Sequence, residues 1–406
     1  MGQCGDVGGK VGMRVLVSDY AGHPFQAQLS RALAASGHQV LHVSFEGLQT
    51  PKGTLGVGAS DPSSFRSVGI STRKPFAKQS FFKRRLQEIE AGHLIARQVA
   101  AFQPDIVISG NAPLDTQKRI QRAAQAAGAR FIFWVQDLYA EAMLRILGPK
   151  FGLVGEAVGR LYQRLERRMI RASDHVVVIA PEFRSAVLEM TGIGNDRITV
   201  IENWAPLDEV PKHERGNSWA EANLPASQFR AVYSGTLGHK HNPELLAKLA
   251  RALDGDVIVF SEGPAAERLK RQGAQEGLSN LHVSGWLPFE ILPQALAGAD
   301  LLLVILEPDA GAFSVPSKVL TYMCAGRPIL GSVPGENLAA RIIEANGAGV
   351  VVAPADEDGF VAAAQRLTAD VEDRRRKGDA ARLYAEKTFD IDAISKKFEA
   401  IFLGLT

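Results

Sequence analysis

The sequence predicts an α/β protein built of two doubly wound, Rossmann-like domains in tandem, and three observations carry that prediction. At 406 residues the chain is too long for one ordinary core and suits two domains of about two hundred residues each. Short apolar strands alternate with amphipathic helices along nearly its whole length, the rhythm of βαβ units on a parallel sheet. That rhythm lapses once, between about 202 and 229, where Asn, Pro, Glu, Lys and Trp take over, and then it restarts.

The first dozen residues are Gly-rich and aperiodic. A phosphate-binding P-loop ending at Gly9-Lys10 needs Gly five residues before Gly9 and Ser or Thr after the lysine. Cys4 and Val11 stand there, so the segment reads as a frayed tail. Order opens at the strand Met13-Arg14-Val15-Leu16-Val17-Ser18, followed by a polar turn through Phe25. A helical pattern over 26–36 stops at Gly37, and Gln39–Phe45 is the next strand. A strand over 105–109 enters through Pro104, a helix over 114–127 closes at Gly128, and Arg130–Val135 is again a strand. A helix over 154–172, a strand over 175–179, a helix over 181–191 and a strand over 198–201 complete the first half.

In the second half the strands fall at 230–234, 256–261, 281–284, 300–306, 328–332 and 349–352. Helices fall between them at 243–253, 265–275, 289–297, 318–324 and 336–345, and two more close the chain. Ile391, Ile394, Phe398, Ile401 and Phe402 give the last one an amphipathic spacing. The expected domains are 13–205 and 206–385, followed by a terminal helix within 386–406.

Composition narrows the class. Hydrophobic residues at 46% and charged residues at 22% exclude a disordered chain or a fibrous array. A net charge of +2 supplies no global field for nucleic acid, so no nucleic-acid partner is expected. Cys4 and Cys324 make no disulfide framework. The longest apolar run, 301–306, has strand length, and the start lacks the apolar block of a signal peptide. The expectation is a cytoplasmic chain, peripheral at most on the inner face of the cytoplasmic membrane.

In open α/β sheets ligands bind beyond the carboxyl ends of the strands, and here the cleft between the domains is the natural place. Gly235-Thr236-Leu237-Gly238 follows a strand and lets main chain approach a phosphate, with Lys240 just beyond; a turn with a solvated lysine is the plain alternative. Ser317 and Lys318 stand where a long loop after Glu307-Pro308 enters a helix that Ser317 can cap. Glu307 itself ends an apolar strand, a frequent catalytic address. Glu262-Gly263-Pro264 ends another strand, as a ligand contact or as a turn, and Trp286 follows Gly285 at a third.

In the first half, His23 lies in the loop after the first strand and suits phosphate or acceptor contact. Ser109-Gly110-Asn111 ends a strand that lines the same pocket. Asp137 follows Arg130–Val135, placed to orient an acceptor hydroxyl or take its proton, or to cap the next helix. His239-Lys240-His241 lacks a carboxylate partner and is not a metal site. Between Arg66 and Arg85 stand seven cations and no acid: Arg66, Arg73, Lys74, Lys78, Lys83, Arg84 and Arg85, interleaved with Phe76, Phe81 and Phe82. Solvated charge is the plain reading, and an anionic membrane surface is the functional one.

Tyr233-Ser234-Gly235-Thr236-Leu237-Gly238-His239-Lys240, Glu262-Gly263-Pro264, Gly285-Trp286-Leu287 and Pro316-Ser317-Lys318 through Gly326-Arg327-Pro328 resemble the nucleotide-sugar half of GT-B glycosyltransferases of family four. The first half matches more loosely, through 18–25 and Ile201-Glu202-Asn203-Trp204. Bacterial enzymes of capsule, exopolysaccharide or O-antigen assembly, including the fucosamine-transferase-like group, are the most similar in pattern. The resemblance implies the GT-B fold: an acceptor-binding Rossmann-like domain over 13–205, a nucleotide-sugar-binding one over 206–385, a cleft between them, and a terminal helix within 386–406 that crosses back to the first. It further implies retaining transfer from a UDP- or GDP-sugar to a lipid-linked or oligosaccharide acceptor, with no metal or other cofactor. Lys240 and Lys318 would stabilise the departing diphosphate, Trp286 would meet the base, and Asp137 would sit near the acceptor.

One departure matters. Family members carry two glutamates with seven residues between them; aligned on Ala325-Gly326-Arg327-Pro328, the second position is Thr321 and the first, eight residues earlier, is Phe313. The donor-ribose carboxylate is therefore absent, Glu307 or Asp309 would have to reach in, and Thr321 offers the sugar only a hydroxyl. Two alternatives keep the fold: a GT-B-type sugar-nucleotide epimerase, for which no carboxylate–histidine cluster stands out, and a non-catalytic subunit of a polysaccharide assembly complex.

Overall fold

A computed structural model describes residues 12–47, 53–77, 80–238, 241–308 and 317–405. The chain divides into two units. The first runs to Glu202 and resumes at Ile391; the second spans Asn203–Asp390.

In the first unit the order is β1 (Arg14–Asp19), α1 (Pro24–Ala35), β2 (Gln39–Phe45), β3 (Phe65–Ile70), α2 (Phe81–Phe102), β4 (Ile106–Gly110) and α3 (Leu114–Ala126). β5 (Arg130–Val135), α4 (Tyr139–Arg171), β6 (His175–Val178), α5 (Pro181–Thr191) and β7 (Ile198–Val200) follow. All seven strands are parallel in the order β3-β2-β1-β4-β5-β6-β7. Helices cover both faces, so the central strands are apolar at nearly every position rather than alternating.

β3 and α2 lie in the stretch that the strand–helix rhythm left unassigned. The helix has a legible signal, since Ala91, Ile95, Val99 and Phe102 recur at helical spacing and are buried. The strand has little, because it sits at the sheet edge with Arg66 exposed.

The second unit holds α6 (Ser218–Asn223), β8 (Arg230–Ser234), α7 (Glu244–Ala252), β9 (Asp256–Phe260), α8 (Pro264–Glu276), β10 (Leu281–Ser284) and α9 (Leu292–Ala297). β11 (Leu301–Ile305), α10 (Lys318–Ala325), β12 (Ile329–Ser332), α11 (Leu338–Ala345), β13 (Gly349–Val352), α12 (Glu357–Ala369) and α13 (Val371–Thr388) complete it. Its six parallel strands run β10-β9-β8-β11-β12-β13.

The aperiodic stretch near 203–229 is fixed to this unit. Arg215 forks onto Asp300, Nε to Oδ1 at 2.8 Å and a terminal nitrogen to Oδ2 at 2.8 Å, and Asp300 also accepts from the Arg230 amide.

α14 (Ile391–Leu405) belongs to the first unit. Phe398 meets the Trp134 ring edge-on at 5.2 Å, Phe402 meets His38 at 5.8 Å, and Glu399 Oε1 lies 3.5 Å from His38 Nε2. Among the described residues no helix is long and apolar enough to cross a membrane.

Candidate functional site

Each sheet reverses its winding once, between β1 and β4 in the first unit and between β8 and β11 in the second. In doubly wound sheets the binding crevice opens beyond the strand ends at that reversal. The candidate residues gather at both places.

In the first unit Asp19 ends β1 and its buried carboxylate accepts from the amides of Gly22 (2.8 Å) and His23 (2.6 Å), which fixes the turn into α1. His23 occupies the position before α1, with Pro24 opening the helix, and its ring stacks on Phe25 at 5.3 Å. Asn111, just after β4, bridges the reversal: its Nδ2 lies 2.8 Å from His23 Nε2.

Tyr139 OH donates to Asn111 Oδ1 at 2.9 Å, which turns the amide nitrogen toward the imidazole. His23 Nε2 therefore accepts, and the ring proton of the neutral imidazole sits on Nδ1. Asn111 takes a left-handed backbone, φ 52°, a strained conformation that asparagine tolerates better than most residues. Burial pushes the Tyr139 hydroxyl far above its usual range, with the nearby Asp137 charge adding to the effect.

Asp137 is half-buried two residues beyond β5. The residue before α4 is Leu138, so Asp137 stands one place ahead of the cap position. Tyr139 went unnoticed in the sequence, where it read only as the start of an unassigned stretch.

In the second unit Lys318 opens α10 and folds its amine beneath the loop after β8. Nζ stands 3.7 Å from the Tyr233 ring centroid and is buried with no hydrogen-bond partner among the described residues. Burial pushes the amine down to about 7. Gly235 is what lets it in: with φ at +135°, a side chain there is strained, and a Cβ would lie 3.0 Å from Nζ. Tyr322, one turn further along α10, accepts from the Ser234 amide (2.8 Å) and donates to the Ser234 carbonyl (3.2 Å). That pair ties α10 to the end of β8 and sets the depth of Lys318. Only its three-dimensional position singles Tyr322 out.

The loop amides behave differently from the phosphate cradle expected at Gly235-Thr236-Leu237-Gly238. Gly235 donates to the Phe260 carbonyl, Leu237 to Ser261 Oγ and Gly238 to His241 Nδ1. Those bonds hold the turn, and the positive group aimed at it is the lysine. Ser317 is exposed at the α10 cap position without a side-chain cap bond, so plain capping is not its role. Thr321 is half-buried one turn after Lys318 on the same helix. Glu307 is half-buried two residues past β11. Lys240, its neighbour His239, and the loop 309–316 with Asp309 and Phe313 lie outside the described residues.

Glu262 and Trp286 meet on the far side of β9. Glu262 Oε1 accepts from the Trp286 amide at 3.3 Å, and Glu262 also lines a cavity of about 390 Å³ with Glu267, Lys270, Val283, Ser284 and Gly285. Trp286 is half-buried, and its ring Nε1–H is enclosed with no acceptor among the described residues.

The basic run of the first unit is partly neutralised by acids outside it. Arg84 pairs with Glu88 (2.8 Å), Arg85 with Asp115 (2.9 Å), and Arg73 lies 3.9 Å from Glu90. Phe76 turns inward onto Phe45 at 5.5 Å. Lys78 and the side chains of Phe81 and Phe82 lie outside what is described.

Two domain models match the chain in step with the two units: a Glycosyl transferase 4-like domain over residues 22–204 and a Glycosyl transferases group 1 domain over 228–370. A relative from Escherichia coli K12, the glycosyl transferase WcaI assigned to colanic acid biosynthesis, is 24% identical over 308 residues, 73% of each chain. Among solved structures, sucrose-phosphate synthase from Thermosynechococcus elongatus aligns at a TM-score of 0.74 and 17% identity, over 97% of this chain and 99% of that one. Anabaena HepE in complex with UDP and glucose aligns at 0.69 and 15% identity, over 97% of this chain and 100% of that one.

Two parallel-sheet Rossmann-like domains carrying these domain types define a GT-B glycosyltransferase. The chain belongs to the glycosyltransferases that join a Glycosyl transferase 4-like domain to a group 1 domain.

Proposed function

We propose that this glycosyltransferase moves a sugar from a nucleoside-diphosphate sugar, a UDP- or GDP-sugar, to a lipid-linked saccharide acceptor in the assembly of a bacterial surface polysaccharide. One observation carries the donor half of this reading. Lys318 presents a buried amine without an acceptor among the described residues, at the first turn of α10 and beneath the Gly235 loop, at the reversal of the second sheet. A diphosphate is the ligand such a group suits. When it binds, the amine gains its counter-charge, and the α10 N-terminus adds partial positive charge as negative charge grows on the leaving oxygen. HepE, solved with UDP and glucose on the same fold, supports that donor class.

In the proposed reaction Lys240 would add a second cation, Ser317 and Thr321 hydrogen bonds, and Trp286, with Glu262 on its amide, a seat for the base. Glu307 would sit beside the transferred sugar. His23 would meet phosphate or acceptor, and Asp137 would orient the acceptor hydroxyl or take its proton. The reaction as proposed asks for no bound metal, and retention of configuration follows from the family resemblance. The saccharide class is supported by the WcaI relative. The remaining cations of the Arg66–Arg85 run, Lys83 among them, would face the anionic inner leaflet where a lipid-linked acceptor resides.

The test is direct. Incubation with a panel of nucleotide sugars and a lipid-linked acceptor extract should release nucleoside diphosphate only when acceptor is present. If calorimetry and thermal shift found no binding of any nucleotide sugar or diphosphate, the reading would fall.

A further inference from the structure

α4 is bent at Gly152, whose backbone leaves the helical region, and beyond the bend its outer face has an unusual composition. Leu153 is 85% exposed, Val154 71% and Leu161 61%, with Phe151 at 55% on the bend itself. Ala157 shares this face at helical spacing, and the opposite face, with Tyr162, Glu166, Met169 and Ile170, is buried in the unit. Further along the same outer face stand Arg160, Arg164, Arg167, Arg168 and Arg171, all exposed.

The helix dipole accounts for Arg168 and Arg171 in the last turn. It does not account for Arg160, Arg164 and Arg167. Glu156 pairs with Arg160, while no ion pair neutralises Arg164, Arg167 or Arg168 among the described residues. A surface helix with bare leucine and valine at one end and arginines along the rest is costly in water. It suits an interface that is apolar inside and anionic outside.

The buried face is anchored to the body of the unit. Asp115 of α3 accepts from Tyr162 OH on α4 at 2.7 Å and pairs with Arg85 of α2 at 2.9 Å. Leu153 lies about 13 Å further along the helix axis, so the apolar end projects past this anchor.

We infer that the outer face of α4 from Leu153 to Arg171 docks the first unit on an anionic lipid bilayer. Leu153, Val154 and Leu161 enter the acyl boundary, and Arg160, Arg164 and Arg167 lie among the headgroup phosphates. The inference deepens the proposed function by naming the surface that meets the acceptor's membrane, and it rests on that reading only for the acceptor. The surface itself is argued from α4.

The test uses the full chain and vesicles of phosphatidylglycerol and phosphatidylethanolamine, against phosphatidylcholine alone. Wild type should sediment with the anionic vesicles and poorly with the neutral ones. Leu153→Asp/Val154→Asp and Arg164→Glu/Arg167→Glu should each cut anionic binding by about tenfold or more, with circular dichroism and melting temperature unchanged. Salt should weaken the binding of wild type and, more steeply, of the aspartate variant, which has only charge left to bind with.

Equal binding to both vesicle types, or unchanged binding by both variants, would overturn the inference. So would a wild-type dimer that the aspartate pair converts to monomer, since the face would then belong to a second copy. Calorimetric binding of UDP should be the same in wild type and both variants. A chain that binds vesicles and no nucleotide would sink the proposed donor and leave the docking face standing.

Discussion

Lys318 and Tyr233 make a cation–π pair at 3.7 Å in which the cation has no other partner among the described residues. Two effects oppose each other there. The ring face favours the charged amine by about 2 kcal/mol when desolvated. Removing an ammonium from water costs more than that, and the amine ends near 7 rather than at its ordinary 10.5. Among the described residues the side chain is held by packing and by the Tyr322–Ser234 clasp, not by an ion pair. Such a group serves poorly as a structural element and well as a receptor for an anion.

The first prediction follows from that division. Lys318→Met keeps the length and packing of the side chain and removes the buried amine. The variant should melt a few degrees higher than wild type near pH 6, where the amine is charged, since about 1 kcal/mol shifts a domain of this size by about 2–4 °C. Its affinity for UDP should fall by about ten- to hundredfold, the worth of a charged hydrogen bond. A variant that lost stability and kept its affinity would show the lysine to be structural.

Proton uptake is the second. With the free amine at about 7, Lys318 is mostly neutral at pH 8 and mostly charged at pH 6. A bound diphosphate raises its affinity for a proton, so binding at pH 8 should take up close to one proton and binding at pH 6 close to none. UDP titrations at both values, in two buffers of different ionisation enthalpy, measure this number. Lys318→Met should abolish the difference between the two pH values; an uptake that survives in the variant must come from another group.

Most of the fold was legible because buried parallel strands write themselves as apolar runs between helical repeats. Arg130–Val135 and Arg230–Ser234 are read at their true limits for that reason. α2 escaped because its charged first turns mask the later Ala91–Ile95–Val99 stripe, and β3 because an edge strand need bury little. The candidate site was legible where a strand end could be located, which is how His23 and Asn111 were found, and where a long loop enters a helix, which is how Lys318 was. Tyr322 and Tyr139 were not, since each matters through a hydroxyl whose partner lies 88 or 28 residues away. The role of the Gly235–Gly238 amides was not legible either: their bonds to Phe260, Ser261 and His241 exist only once β9 and the turn are in place.

Asn111 supplies the third prediction. It fixes the ring of His23 through one amide hydrogen and is itself oriented by Tyr139. Asn111→Gly removes that hydrogen bond and also the left-handed strain, so the fold should be as stable as wild type or more so. Turnover should drop by about tenfold if His23 acts in the site, a loss of about 1.4 kcal/mol of transition-state stabilisation. Imidazole nitrogen NMR gives a readout independent of activity. Wild type should show His23 as the Nδ1–H tautomer, and the glycine variant a mixture. Tyr139→Phe should give a smaller change in the same direction. An unchanged tautomer in both variants would remove Asn111 from this role.

The last prediction concerns His42, buried on β2 beneath α1. Its Nδ1 lies 3.0 Å from Ser30 Oγ, and its Nε2 is 3.7 Å from an Asp19 carboxylate whose oxygens already hold the Gly22 and His23 amides. The three side chains line up like a nucleophilic triad, but all are sealed from solvent, so the arrangement serves structure. At 3.7 Å the carboxylate is beyond hydrogen-bond reach and does not offset burial, which pushes the imidazole down to about 3. The unfolded chain takes up a proton at this residue below its ordinary 6.5, whereas the folded one does not until about 3. Stability fully present above pH 6.5 is therefore lost as the pH falls through that window, by about 1.4 kcal/mol per pH unit. His42→Asn removes this titration and keeps a polar group for Ser30. Urea unfolding at pH 7, 5.5 and 4.5 should show the variant less stable than wild type at pH 7, with the gap closing as the pH falls. A gap that stayed constant would mean that burial does not push the imidazole down, and one that widened as the pH fell would mean that His42 is protonated and paired with Asp19 after all.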